Sequence, residues 1–440
     1  MEAIEPDRSS VRDEDDIVPP PDRGRGAYLA LACCTISQIP IWGYSVSFGI
    51  FQEHYSNHGD IEGSAGAFAS IGAAKVGVMY LVMPVLFVLL HRCPHWRPRC
   101  GPLGMAMTTV TIAGSAFAST VGGLIVMQGV LYALGCALLF SPISIYMDEW
   151  FVELKSAAYG VMWAAKSAVG VAMPFVFSVM LQSFGLRITL LSWAAASAFL
   201  TLPVLILMKP RLPLPSTPAA RPVSWRFSRS PIFWMTQLGV MSQAVGYRMP
   251  ATYLASYAAE LHLPDVAGPL LLAFFSLSSV PGSVLIGILG DRVSASKAVL
   301  VSSLGSALPA FLSWGLGLDL ANQIVFALVY GFFAGGYSST WSGMVAQVQE
   351  ADDSADSSIV HGMLLGGRGL GFVLSGPVSG ALLSIKGKLT DEPLGYGTIY
   401  GPMILFTGIT GILGAWGPFW VIAQAMRARL CASQRAVRLE

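Results

Sequence analysis

Apolar runs long enough to cross a bilayer recur along the whole chain, and no other feature restricts its fold so strongly. A hydrocarbon core about 30 Å thick takes a helix of about 17–25 apolar residues. Twelve candidate runs appear, at 27–51, 65–90, 103–118, 124–147, 157–182, 188–208, 232–257, 266–289, 298–316, 322–345, 358–383 and 402–425, the third of them short. In lipid every backbone N–H and C=O must be satisfied internally, so such runs read as helices. Only 12% of the residues are charged and 54% are hydrophobic, against about 25% charged in average soluble domains. That is too little polar surface to coat a soluble protein. The expected class is an all-α membrane protein with 12 transmembrane helices lying in a lipid bilayer.

The runs divide six and six. Between them, 209–231 is rich in Pro, Ser and Arg and holds no acid, which marks a linker. The expected organisation is a disordered cytoplasmic tail over 1–26, a six-helix bundle over 27–208, the linker, a second bundle over 232–425, and a tail over 426–440. The first 26 residues hold no apolar stretch, so no cleavable signal peptide is expected. With the N-terminus inside, nineteen Lys and Arg fall in inner segments and three, Arg187, Lys386 and Lys388, in outer loops. This asymmetry predicts cytoplasmic termini and a cytoplasmic linker. A net charge of +1 gives no sign of a nucleic-acid partner.

Two pseudo-symmetric six-helix halves around a central site describe the major facilitator architecture, and weak internal similarity supports that reading. The fifth run has Gly160 and Lys166 six residues apart, followed by Pro174; the eleventh has Gly362 and Arg368, followed by Pro377. Gly43-Tyr44 in the first run corresponds to Gly246-Tyr247 in the seventh.

Four cations lie inside runs: Lys75, Lys166, Arg248 and Arg368. All the acids lie in loops, tails or run ends. Buried charges pair, neutralise or face water, so four cations without an anion point to a wet, positive cavity that an anionic substrate completes. Each cation could equally bond carbonyls or snorkel. Apolar neighbours make Lys75 the weakest candidate, and Arg248 sits toward the outer end of its run. Tyr159, Trp163 and Gly170 share the helical face of Lys166, and His361 and Ser375 that of Arg368. A cation beside an aromatic suits a carboxylate on an apolar body. His91, Cys93, His95 and Cys100 match no standard zinc spacing, so they read as a solvated basic loop with no metal. Among the six cysteines no disulfide framework is visible.

Gly287-Ile-Leu-Gly-Asp291-Arg292 is similar to the major facilitator loop motif, in which the aspartate caps and pairs across the inner gate. The matching stretch of the first half, Leu90-His-Arg-Cys-Pro-His-Trp-Arg97, has no aspartate. Trp150-Phe151, then Lys155, Ala158 and Gly160 resembles the signature W-F-x-x-x-R-x-x-A-x-G of the monocarboxylate transporter family. Gly43-Tyr44, Phe51-Gln52-Glu53-His54-Tyr55 and Tyr253-Leu254-Ala255-Ser256-Tyr257-Ala258 are similar to its fungal branch. Lys155 replaces the usual arginine, and Lys166 stands where relatives commonly have glycine. The eighth-run arginine, and the acid–arginine pair of proton-coupled animal relatives, are absent.

The resemblance implies a secondary transporter working by alternating access, most simply the efflux of a small organic anion or acidic specialised metabolite. The alternative is proton-coupled uptake of a monocarboxylate or vitamin-like acid; a lesser one is a non-transporting membrane sensor. The expected substrate residues are Lys166, Arg368, Trp163, Tyr159, Arg248, Tyr44 and His361, with Asp291 and Arg292 at the gate. No catalytic residue, metal or cofactor is expected, and the oligomeric state is left open. The plasma membrane is the default for the family and the vacuole the alternative.

Overall fold

The computed structural model describes residues 19–58, 65–213, 222–264, 266–385 and 394–437. The tail before Pro19, the middle of the 209–231 segment, Lys386 and Lys388 lie outside the described residues, as do the last three residues. Among the described residues the regular structure is entirely helical.

Twelve rods follow one another. The first, α1, runs through Arg25–Ile36, Gln38–Val46 and Phe48–His58 end to end. Its first joint precedes Pro40, which has no N–H to continue the ladder. There Ser37 Oγ and Gln38 Nε2 donate to the Cys34 carbonyl at 2.7 and 2.9 Å. Next come α2 (Ala65–Arg92), α3 (Arg97–Ser115) and α4 (Val121–Trp150). A π-helical stretch, Ile125–Leu131, lies inside α4. One helical segment, Lys155–Leu207, covers two expected spans. It breaks at Gly185, whose φ of 76° is a conformation that favours glycine, and so divides into α5 (155–184) and α6 (186–207). The second half holds α7 (Pro231–Glu260), α8 (Ala267–Arg292), α9 (Ala295–Trp314), α10 (Leu320–Ala351), α11 (Ser357–Ser384) and α12, bent by 49° between Gly401–Leu413 and Trp416–Arg427.

Eight helices among the described residues are long and apolar enough to cross a membrane, or nine with the bent pair counted as one. The long α5–α6 helix is one of these and supplies two passages. The remaining two rods, α3 and α7, are less apolar for identifiable reasons. The first turns of α3 carry Arg97 and Arg99. Two polar residues of α7 face α11: Gln237 Nε2 donates to the Met363 carbonyl at 2.9 Å, and Gln243 accepts from Arg368.

The two halves meet along two seams, α5 against α8 and α2 against α11. Both are close because glycine is there. A Cβ on Gly160 would come within 2.5 Å of the Ser283 carbonyl oxygen, and one on Gly369 within 2.4 Å of Tyr80 Cβ. Small residues let helices approach at this distance. The part of the expected tail nearest α1 is not loose. Asp22 is buried and accepts from the Val152, Glu153 and Leu154 N–H groups at 2.9–3.1 Å. It thereby holds the turn between α4 and α5.

Candidate functional site

A cavity of about 690 Å³ lies between the halves. Glu53, Ser178, Ala255 and Pro269 line it, near the ends of α1, α5 and α7 and the start of α8. It therefore opens at the end of the bundle opposite to the α4–α5 and α10–α11 turns. Its depth is walled by Trp42, Lys166, Tyr247, Arg248, Phe275 and Phe372.

The floor is aromatic and basic. Lys166 Nζ sits 4.3 Å from the Trp42 ring centre and 5.2 Å from that of Trp163. Trp163 meets Trp341 edge to face at 5.5 Å. Trp341 in turn carries the Arg368 guanidinium at 5.0 Å, and Phe372 and Tyr247 flank it at 4.9 and 5.3 Å. Arg368 is 1% exposed. Its Nη1 donates to Gln243 Oε1 at 2.9 Å, and its Nε has no hydrogen-bond partner. Arg248 also reaches Phe372, 5.7 Å from the ring centre. Lys166 feels the charges of both arginines. Among the described residues none of these three cations enters an ion pair. Lys166 and Arg248 line the cavity, whereas Trp163 and Arg368 are buried behind its wall, Trp163 against Trp341 and Arg368 against Phe372 and Tyr247.

Tyr159 and His361 lie elsewhere. Each is seven residues from its cation along its own helix, toward the closed end. They stack at 5.2 Å beneath Trp341. The Tyr159 hydroxyl pairs with Ser144 Oγ at 2.8 Å and donates to Asp148 at 3.0 Å. Shared helical face was a sound inference, but two turns of rise carry these rings about 10 Å deeper. Tyr44 is also off the cavity. It is buried in the first half, donating to Gln128 Oε1 at 2.6 Å, because the π-helical stretch turns Gln128 toward α1. Lys75 lies beside it, between the rings of Tyr44 and Tyr132 at 4.3 and 4.1 Å.

The closed end ties the halves together. Asp291, ending α8, accepts from the Ser156 and Ala157 N–H groups at 2.8 Å each. It caps α5, where a negative charge also suits the helix dipole. Arg292 enters none of the ion pairs among the described residues. Lys155 pairs with Asp148 at 2.9 Å and donates to Ser357 at 3.1 Å. Ser156 and Ser342 hydroxyls meet at 2.8 Å. His91 is not a free loop residue: its Nδ1 lies 3.0 Å from Asp356 Oδ2. Cys100 is buried within α3, away from any solvated loop.

The Major Facilitator Superfamily family model matches residues 30–376. The chain belongs to the major facilitator superfamily. It is similar to the MFS transporter asaE of Aspergillus flavus, 23% identical over 85% of this chain and 84% of that one. It also resembles the fujikurins efflux protein of Gibberella fujikuroi, at 25% over 73% and 69%. Monocarboxylate transporter 10 of Danio rerio is similar as well, at 25% over 82% and 73%. The solved human organic anion transporter MFSD10 (TETRAN) superposes with a TM-score of 0.65 at 14% identity, over 91% of this chain and all of that one. The last comparison speaks to fold alone. This is a multi-pass membrane transporter with the twelve-helix facilitator fold in two pseudo-symmetric bundles.

In this facilitator three residues of the site region had no signal in the sequence. Gln243 is one polar residue among several in α7, and only the fold sets it against Arg368. Glu53 was assigned to a run end, yet α1 continues to His58 and carries it into the cavity mouth. Asp148 lies just past the end of an apolar run, yet α4 continues through it and it anchors both Tyr159 and Lys155.

Asp356 caps α11 through the Ser358 and Ile359 N–H groups at 3.0 and 3.2 Å. Burial would raise its carboxyl, but His91, Ser358 and the Ile359 N–H outweigh it and hold the group at about 2 instead of 3.8. A depressed carboxylate stabilises the fold above 3.8, and that contribution disappears as pH falls toward about 2. Melting midpoints of the purified protein across this range should fall more steeply for the wild type than for Asp356→Asn. Equal slopes would remove Asp356 from the closed-end lock.

Proposed function

We propose that this chain is a carrier and not an enzyme, and that it exports a small organic anion or acidic metabolite. The anion binds between Lys166 on α5 and the pair Arg248 and Arg368 on α7 and α11. The observation that carries this reading is a central cavity lined by Lys166 and Arg248, one from each half, with Arg368 buried behind its wall against Tyr247 and Phe372, and with no ion-pair partner for any of the three among the described residues. Trp42 and Phe372 on the cavity wall suit an apolar or aromatic body attached to the acid. The fungal efflux protein to which the chain is similar favours export as the direction.

Lys166→Ala and Arg368→Ala should each cut counterflow of the transported acid in proteoliposomes by about tenfold or more, the scale for removing one partner of a desolvated charge pair with the substrate. Arg368→Lys should recover only part, because it keeps the charge without the planar fork. Normal transport by both alanine variants would dismiss the site.

Proton-coupled uptake is the competing mode, and the acid–arginine pair of animal relatives is missing from α8, where Ser276, Ser279, Gly282 and Ser283 stand. Flux in the same vesicles should follow the anion gradient and stay unchanged when a pH gradient is imposed. Acceleration by inward-acid conditions would favour uptake.

We place the chain in the plasma membrane, with both termini and the 209–231 linker between bundles on the cytoplasmic side. The Lys and Arg asymmetry of the loops supports this orientation. An impermeant amine reagent should label Lys386 on intact cells. Labelling restricted to broken cells would invert the topology.

A further inference from the structure

A second cavity, of about 540 Å³, opens between α2, α7 and α11. Val76, Arg248 and Phe372 line it and the central cavity alike, so these three side chains form the partition between them. Beyond the partition the walls are almost wholly apolar or small: Ala73, Gly77 and Leu81 of α2 face Met249 of α7 and Val373 and Gly376 of α11. Leu81 and Val373 are 45% exposed, which makes them a rim on the membrane-facing side of the seam. A Cβ at Gly376 would meet nothing within 4 Å, so glycine leaves room there that packing does not use. Toward one end the Tyr253 hydroxyl and Ser379 Oγ pair at 3.0 Å, satisfying each other. Arg248 is the one charged side chain on this cavity's wall, and it is shared with the anion site.

We propose that this side cavity is a subsite for the apolar arm of the transported anion. The acid group lies in the central cavity against Arg248, and the arm passes Phe372 into the space between α2 and α11. The substrate class is thereby narrowed to amphipathic organic acids with an extended alkyl or aryl arm. The inference rests on the anion reading given above. Charge complementarity selects the occupant. A neutral or zwitterionic lipid tail would fill the apolar walls, but it would leave Arg248 as unpaired as before. Only a molecule with an anion at one end uses both sides of the partition.

The test uses full-length protein in lipid nanodiscs, with butanesulfonate and octanesulfonate as probes. Both stay ionised at any working pH and differ only in arm length. Binding is read by tryptophan fluorescence, with empty nanodiscs subtracted. Gly376→Leu fills the side cavity. Gly380→Leu is the control, one turn further along the same helix, where a Cβ also meets nothing within 4 Å and the cavity wall is not touched. The wild type should bind octanesulfonate more tightly than butanesulfonate. Each methylene buried is worth about fourfold, so evicting two of them by Gly376→Leu should weaken octanesulfonate by about fifteenfold. Butanesulfonate affinity, and both affinities in Gly380→Leu, should not change. Equal loss for the two probes in Gly376→Leu would overturn the subsite, as would no loss for the longer one. Equal wild-type affinities would overturn it too and leave the anion site standing. If the wild type binds neither sulfonate, the anion reading itself falls and takes the subsite with it.

Discussion

Three basic side chains share the middle of the bundle, and no carboxylate among the described residues pairs with them. Removing one such ion from water costs several kcal/mol even after relaxation. A cation on a ring face returns about 0.5–2 kcal/mol, and a hydrogen bond to a charged group about 1.5–3 kcal/mol. Arg368 gathers three rings and one amide, which brings it near balance. Lys166 has two rings only and depends on the cavity for the remainder. Access of water to Lys166 is therefore a condition of this arrangement, and on the proposed reading an anion shares that access. A tightly packed, dry seam at the level of Lys166 would be unstable with the same residues.

The opposite end shows how the halves can be parted and closed. Asp291 of the second half caps α5 of the first, and Ser156 meets Ser342 across the same seam. Lys155, held by Asp148, reaches Ser357 of α11. These bonds are short, polar and few, each worth about 0.5–3 kcal/mol net. They hold one rigid-body arrangement without making it permanent, as rocking of one half against the other requires. Close glycine contacts at Gly160 bring α5 and α8 together along this seam without interlocking side chains.

Much of this was legible in the sequence because lipid imposes simple rules. Apolar runs mark helices, and twelve of them marked this fold. The shared glycine-to-cation spacing paired Lys166 with Arg368 before any coordinate did so, since it reflects internal duplication. What the sequence hid was depth and local irregularity. Helical periodicity tells which face a residue occupies but not how far along the axis the cavity stops, so Tyr159 and His361 were drawn into a site whose floor lies above them. Tyr44 was misplaced because a π-helical stretch in α4 carries no composition signal and yet aims Gln128 at it. Glu53 was lost to a span end drawn at residue 51, where hydropathy falls before the helix does.

The unpaired cations also bear on how such a carrier cycles. Passing from the open to an occluded state means taking water off Lys166 and the two arginines. With the cavity unliganded that step sets like charges against one another in a falling dielectric. With an organic anion bound, the same dehydration strengthens an attraction. A ligand moves an equilibrium only by its differential affinity for the two states, and here the difference arises from charge neutralisation more than from shape. The loaded carrier closes more readily than the empty one, and the aromatic floor adds a preference for acids that bring an apolar body with them. On the proposed reading, selectivity and the conformational cycle therefore draw on one physical cause: positive charge that the protein itself leaves uncompensated.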